Sequence, residues 1–128
     1  MSQPLCLIVD DSKIIRKVAR RIVEGLGFEV SEAADGIEGL DQCIRAMPDL
    51  VLLDWRMPTM DGMDFIYRLK EQTAGQMPKV LFCSMESDPA RIAEALAAGA
   101  DDYVMKPFDG DILQSKIDEL GQIGIKAA

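Results

Sequence analysis

Short apolar runs alternate with helical periodicities along the whole chain. Leu5-Cys6-Leu7-Ile8-Val9 is continuous and apolar and stops at Asp10-Asp11. Ile14, Ile15, Val18, Ile22, Val23 and Leu26 then recur at spacings of three and four, which predicts a helix. Ser12 fits its N-cap, and Gly25 and Gly27 bracket its end. Phe28 to Ala33 predicts a second strand, and Ile37, Leu40, Ile44 and Met47 a second helix closed by Pro48. Leu50-Val51-Leu52-Leu53 is a third strand ending at Asp54, and a third helix runs through Met63 to Leu69. Val80-Leu81-Phe82-Cys83 ends at Ser84. Pro89 suits the first turn of a fourth helix, with Ile92, Ala93 and Leu96 inward. Tyr103-Val104-Met105 ends at Lys106-Pro107, and Ile112, Leu113, Ile117 and Leu120 mark a fifth helix.

Strands that are apolar without a break are covered on both faces, as in a parallel sheet. Helical crossovers connect parallel strands, so the pattern predicts a doubly wound α/β sandwich with a five-stranded parallel sheet. Periodicity leaves both common strand orders open. With five strands, 2-1-3-4-5 is the natural choice. No linker or low-complexity stretch interrupts the pattern, so residues 1–128 are expected to form one domain with no output domain, with a frayed tail from Gly121 to Ala128.

Composition narrows the function classes. The chain carries 14 Lys and Arg against 22 Asp and Glu, a formal net charge of −8, which argues against a DNA-binding or anionic-membrane surface. Histidine is absent, which removes a His triad, a His metal site and a phosphohistidine on this chain. Cys6, Cys43 and Cys83 are odd in number, far apart and set in apolar runs, where reduced thiols act as small hydrophobes. With no signal-peptide pattern and no apolar stretch of membrane-spanning length, a cytoplasmic location is expected.

The polar strand ends carry the candidate chemistry. In open α/β sheets, ligands bind beyond the carboxyl ends of the strands where the strand order reverses. Strands one and three would be neighbours there, so Asp10, Asp11 and Asp54 would share one crevice. Such a cluster repels itself, and either one carboxyl is protonated or a cation sits between them. Oxygen ligands without His or Cys favour a hard ion such as Mg²⁺. Ser84 adds a hydroxyl donor and Lys106 a point charge. Together these groups suit phosphoryl transfer, where positioning and charge neutralisation dominate. A lone Asp at a strand end is ordinarily a helix cap or turn former, and the signal lies in the set.

That set resembles the receiver domain of bacterial two-component response regulators. The resemblance rests on Asp10-Asp11, the segment from Leu53 through Asp54, Trp55, Arg56, Met57, Pro58, Thr59, Met60, Asp61 to Gly62, Ser84, Gly99-Ala100, Tyr103 and Lys106-Pro107-Phe108, and it covers essentially the whole chain. It implies a flavodoxin-like, CheY-like, stand-alone receiver. Asp54 is similar to the phospho-accepting aspartate, which takes phosphorus from a phosphohistidine of a partner kinase. Asp11 would ligate Mg²⁺ directly, Asp10 more through water, and the Arg56 carbonyl matches the backbone ligand. Ser84 and Lys106 match the groups that meet the phosphoryl oxygens, and Tyr103 matches the aromatic that turns inward afterwards. Lys106-Pro107 matches a peptide bond that is cis in the family.

The implied function is a phosphorylation-controlled switch rather than an enzyme with an external substrate. Its partners would be a sensor histidine kinase or phosphotransfer protein and a downstream protein. The latter would be met through the fourth helix, fifth strand and fifth helix, with Arg91, Glu94, Ala98 and Tyr103 as face residues. A monomer or a weak phospho-dependent dimer is expected. A phosphate sink and an unphosphorylated binding module stay open as alternatives. A Mg²⁺-dependent phosphohydrolase is disfavoured, because Arg56 stands where that chemistry commonly places an acid/base. Four further readings come from single features. Arg56 and Glu86 could pair over the phosphoryl group and restrict water. Ser84 in place of Thr would loosen coupling to Tyr103. Met57, Met60, Met63, Met85 and Met105 could form an adaptable partner surface. Arg16, Lys17, Arg20 and Arg21, with Lys13, crowd the first helix and could hold an anionic ligand.

Overall fold

The computed structural model describes residues 3–57, 59–85 and 89–121. Five strands, β1 (Leu5–Val9), β2 (Glu29–Ala33), β3 (Leu50–Asp54), β4 (Lys79–Ser84) and β5 (Asp102–Met105), alternate with five helices. These are α1 (Lys13–Gly25), α2 (Gly36–Arg45), α3 (Gly62–Gln72), α4 (Pro89–Ala98) and α5 (Gly110–Glu119). The sheet is parallel throughout and ordered β2-β1-β3-β4-β5. The fold is the doubly wound, flavodoxin-like sandwich that the alternating pattern predicts.

The apolar runs work because side chains alternate across a strand. Leu7 and Val9 of β1 enter one core with Val51 and Leu53 of β3, Phe65, Ile66 and Leu69 of α3, and Ala95 and Ala98 of α4. Cys6 and Ile8 enter the other with Leu50, Leu52, Leu81, Ala19 and Val23 of α1, and Leu113 and Ile117 of α5. All three cysteines are buried free thiols. Burial pushes Cys43 and Cys83 up to about 12 and Cys6 higher still, so all three stay protonated and unreactive at neutral pH.

Helix starts are fixed by polar caps at the carboxyl ends of the strands. The Ser12 hydroxyl accepts from the Ile15 N–H at 3.2 Å. The carboxylates of Asp35, Asp61 and Asp109 accept from the N–H groups of Glu38, Asp64 and Ile112 at 2.8, 2.9 and 2.9 Å. Each cap satisfies an orphan amide and sets where a loop ends, which contributes about 1 kcal/mol.

The structure corrects the inward face expected of α4 and selects, on the other helices, which apolar positions are buried. Ile14 is 75% exposed, and Val18, Ile37, Ile44, Met47, Leu96 and Ile112 are also exposed. Apolar residues at spacings of three and four define two adjacent stripes on a helix. On α1 the stripe through Ala19 and Val23 faces the sheet. On α4 it is the one through Ala95 and Ala98, so Ala93 and Leu96 turn outward. Ala98 is therefore a core residue and not part of an outer face. No helix of the described residues is long and apolar enough to cross a membrane. Pro58, Glu86 and the tail beyond Gly121 lie outside the described residues, and the expected Arg56–Glu86 pair falls there with them.

Candidate phosphoryl-transfer site

Strand order brings the ends of β1 and β3 side by side and the start of the β5–α5 loop across from them. Asp10 follows β1 directly, and its N–H donates to the Ala33 carbonyl at 3.1 Å. Its Oδ1 accepts from the Ser12 N–H at 2.8 Å. Its Oδ2 accepts from Lys106 Nζ at 2.7 Å. Asp54 is the last residue of β3, and its Oδ1 accepts from the same ammonium at 3.0 Å. Asp10 and Asp54 are buried, and Asp11 beside them is exposed. One carboxylate oxygen from each of Asp10, Asp11 and Asp54 lies within 4.8 Å of the others.

The electrostatics follow from that packing. Burial holds the Asp54 carboxyl above the usual carboxylate range, and the Asp10 charge adds to this. Lys106 opposes both, and Asp11 contributes a smaller push upward. For Lys106, burial alone would lower its pKa, but the Asp10 and Asp54 carboxylates outweigh it and the ammonium is held above its usual range. Lys106 thus bridges two like charges that would otherwise repel across the crevice. The donor set fits a hard divalent cation, because every ligand offered is an oxygen and the cluster is over-supplied with negative charge. The carboxylates that could share such an ion are those of Asp10, Asp11 and Asp54.

A cavity of about 440 Å³ opens beside Asp54, lined by Asp54, Arg56, Ser84, Met85 and Lys106. Ser84 is buried at the end of β4, and its carbonyl accepts from the Lys106 N–H at 2.8 Å. The Lys106–Pro107 peptide bond is cis. The Gly62 N–H donates to the Trp55 carbonyl at 2.9 Å. A Cβ there would lie 2.5 Å from Phe82 Cε1 and 3.0 Å from the Asp54 carbonyl oxygen, so only glycine allows this approach. Tyr103 is half-buried on β5, with Lys116 Nζ 5.3 Å from its ring centroid.

Of the sequence-predicted residues, the structure brings Asp10, Asp11, Asp54, Ser84, Lys106 and the exposed Arg56 to one crevice, and leaves Tyr103 a strand away. It reassigns two other features. Met57, Met60 and Met63 are core residues, so of the methionine group only Met85 and Met105 are exposed. The basic face of α1, where an anionic ligand could have sat, is partly taken up by ion pairs. Arg16 and Arg20 both turn to Glu32, at 3.0 and 2.7 Å, leaving Lys17 and Arg21 exposed. Periodicity placed the arginines on a helix face but carried no signal of Glu32, which arrives from β2.

Trp55, the neighbour of Asp54, has a packing role that the local sequence pattern does not show. It is buried, tilted against Phe82 at 5.1 Å, with the Arg91 guanidinium 5.4 Å from its ring centroid. Its size and its place next to Asp54 were the available signal.

Comparison with known proteins agrees with this geometry. Residues 6–118 match the response regulator receiver domain. The chain is 37% identical over 111 residues to the transcriptional regulatory protein CseB of Streptomyces coelicolor, covering 87% of this chain and 46% of that protein. It thus spans about half the length of that relative. It is 33% identical to the chemotaxis protein CheY-3 of Vibrio cholerae, over 89% of this chain and 88% of that one. Among solved structures, Vibrio cholerae CheY4 superposes with a TM-score of 0.86 at 30% identity, covering 92% of this chain and 98% of that chain.

Proposed function

The chain belongs to the response regulator receiver family, and on that premise we propose that it is a phosphorylation-controlled signalling switch whose acceptor is Asp54. The observation that carries the reading is the Lys106 ammonium held at 2.7 and 3.0 Å from Asp10 and Asp54 at the topological switch point, beside the exposed Asp11.

An Asp54 carboxylate oxygen attacks the phosphorus of a phosphohistidine on a partner kinase or phosphotransfer protein. The P–O bond forms, the P–N bond breaks, and its electron pair leaves on the imidazole nitrogen, which takes up a proton. Asp54 then carries the phosphoryl group as an acyl phosphate, and the Lys106 ammonium 3.0 Å from its Oδ1 is placed to meet the added negative charge. Lys106 then transfers its hydrogen bond from Asp54 to a phosphoryl oxygen, and the Ser84 hydroxyl donates to another. Mg²⁺, held by Asp11, Asp54 and the Arg56 carbonyl, would supply charge neutralisation for the transferring group.

Drawing Ser84 toward the phosphoryl group vacates space at the end of β4. An inward Tyr103 then gains weight, which changes the affinity of the face built from Arg91 and Glu94 of α4, β5 and the exposed side of α5 for a downstream protein. This is a shift between pre-existing states. The reduced, buried thiols accord with a cytoplasmic setting. The chain's own phosphorylation and dephosphorylation are its only chemistry in this reading.

Incubation with Mg²⁺ and a small acyl-phosphate donor, followed by intact mass, tests it. The expected result is a gain of one phosphoryl group, lost with EDTA and absent in Asp54→Asn. An unmodified wild-type chain with the donor consumed would instead favour hydrolysis. An unmodified chain with the donor intact would favour a binding module. Rapid phosphorylation by a kinase without any phospho-dependent partner would favour a phosphate sink.

A further inference from the structure

The N-terminal half of α1 carries an arginine whose contacts reach the acidic loop itself. Arg16 Nη1 donates to the Asp10 carbonyl at 2.6 Å, and Arg16 Nε donates to Glu32 Oε1 at 3.0 Å. The guanidinium therefore spans from the end of β1 to β2, and its side chain is only 14% exposed. Glu32 is itself fixed. Its Oε2 accepts from Arg20 Nη1 at 2.7 Å, and its carbonyl accepts from Gln42 Nε2 at 2.7 Å. Arg20 is tied in turn to Glu24 at 3.3 Å and to the Val30 carbonyl at 3.4 Å. A planar guanidinium with rigid N–H directions can serve two acceptors at once, which a lysine ammonium on a flexible stem does far less well.

The Asp10 carbonyl belongs to the peptide unit that joins Asp10 to Asp11. Fixing its direction fixes the plane from which Asp11 departs. The rest of Asp10 is pinned independently: its N–H by Ala33, its Oδ1 by Ser12 and its Oδ2 by Lys106. Arg16 supplies the remaining main-chain constraint, and with it the exposed Asp11 leaves the strand along a fixed direction.

We propose that Arg16, anchored by Glu32, is a positioning residue that orients the Asp10–Asp11 peptide so that the acidic pair is preset for a divalent cation. This rests on the metal site proposed above. Outer partners that orient metal ligands typically change metal affinity by about 10–100-fold when removed. The sign of the effect separates positioning from plain charge. Arg16 is a cation near a cation site, so Coulomb's law alone says that deleting it strengthens Mg²⁺ binding. Positioning says that deleting it weakens binding.

Mg²⁺ titrations of the wild type, Arg16→Ala, Arg16→Lys and Arg20→Ala test this. They are read by emission of Trp55, the chain's single tryptophan next to Asp54, and independently by calorimetry. Melting temperatures are recorded alongside. Arg16→Ala is expected to bind Mg²⁺ about tenfold or more weakly. Arg16→Lys, which keeps the charge and loses the fork, is expected to weaken in the same direction. Arg20→Ala removes one support of Glu32 without touching the acidic loop, and is expected to weaken Mg²⁺ binding less than Arg16→Ala does even if it melts earlier. Should Arg16→Ala fail to fold, Arg16→Lys decides. Affinities in the Arg16 variants equal to or tighter than wild type would overturn the positioning role. A wild-type chain that takes up no Mg²⁺ would overturn the metal site itself, and the positioning role with it.

Discussion

Replacing Asp54 by Asn removes a charge that the fold holds at a cost, so without Mg²⁺ the variant should be more stable than the wild type. At an effective dielectric of about 20, Asp10 and Asp54 oxygens that lie within 4.8 Å of each other repel by at least about 3.5 kcal/mol. Lys106 at 3.0 Å attracts Asp54 by about 5.5 kcal/mol on the same scale. The balance toward Lys106 is at most about 2 kcal/mol, smaller than the several kcal/mol that a carboxylate loses on leaving water. Asp11, exposed and screened, adds a little more repulsion. The net cost of an ionised Asp54 is therefore about 1–2 kcal/mol, consistent with burial as the leading cause of its raised pKa.

The pH dependence has a definite sign. A carboxyl whose pKa is higher in the folded state binds its proton more tightly there, so it contributes stability below the ordinary carboxylate value, and this is lost as pH rises through the raised one. Asn never ionises and keeps what the wild type loses. Thermal melts in EDTA should show Asp54→Asn melting higher by roughly 3–8 °C at pH 7.5, with the gap closing toward pH 4. An Asn variant that melts at or below the wild type at pH 7.5 would refute the reasoning. Mg²⁺ at 100 times its dissociation constant should then stabilise the wild type by about 2.7 kcal/mol and narrow or reverse the order.

Two further expectations follow from the same geometry. Lys106→Met strands two buried carboxylates and should destabilise the protein by about 3–5 kcal/mol in denaturant titration at pH 7.5; in the wild type the raised lysine pKa means that this contribution persists at neutral pH and fades only above the ordinary value of 10.5. Gly62→Ala drives a methyl into the Phe82 ring and should cost about 1–3 kcal/mol while shifting Trp55 emission, whereas Gly25→Ala, where a Cβ meets nothing within 4 Å, should not lower stability.

Most of the fold was legible in the chain because the strands are short apolar runs stopped by polar residues, and that signal is local. The stops at Asp10, Asp54, Ser84 and Lys106 also named the crevice, since a parallel sheet gathers its carboxyl ends on one edge. What escaped was rotational. Ile14 and Val18 share the spacing of Ala19 and Val23, and only packing against the sheet selects the stripe with the small alanine. What also escaped was long-range pairing. Arg16 looks like one more surface charge until β2 carries Glu32 beside it and β1 turns the Asp10 carbonyl toward it. Trp55 fills space between Phe82 and Arg91, a role fixed by residues distant in sequence.

The most direct test of the central claim is to locate the phosphoryl group by chemistry. After reaction with a small acyl-phosphate donor and Mg²⁺, borohydride reduces an aspartyl phosphate to homoserine, and peptide sequencing finds the altered position. The account predicts homoserine at position 54, formed with Mg²⁺ and suppressed by EDTA. Homoserine at position 10 or 11, or phosphorylation that survives Asp54→Asn, would contradict it.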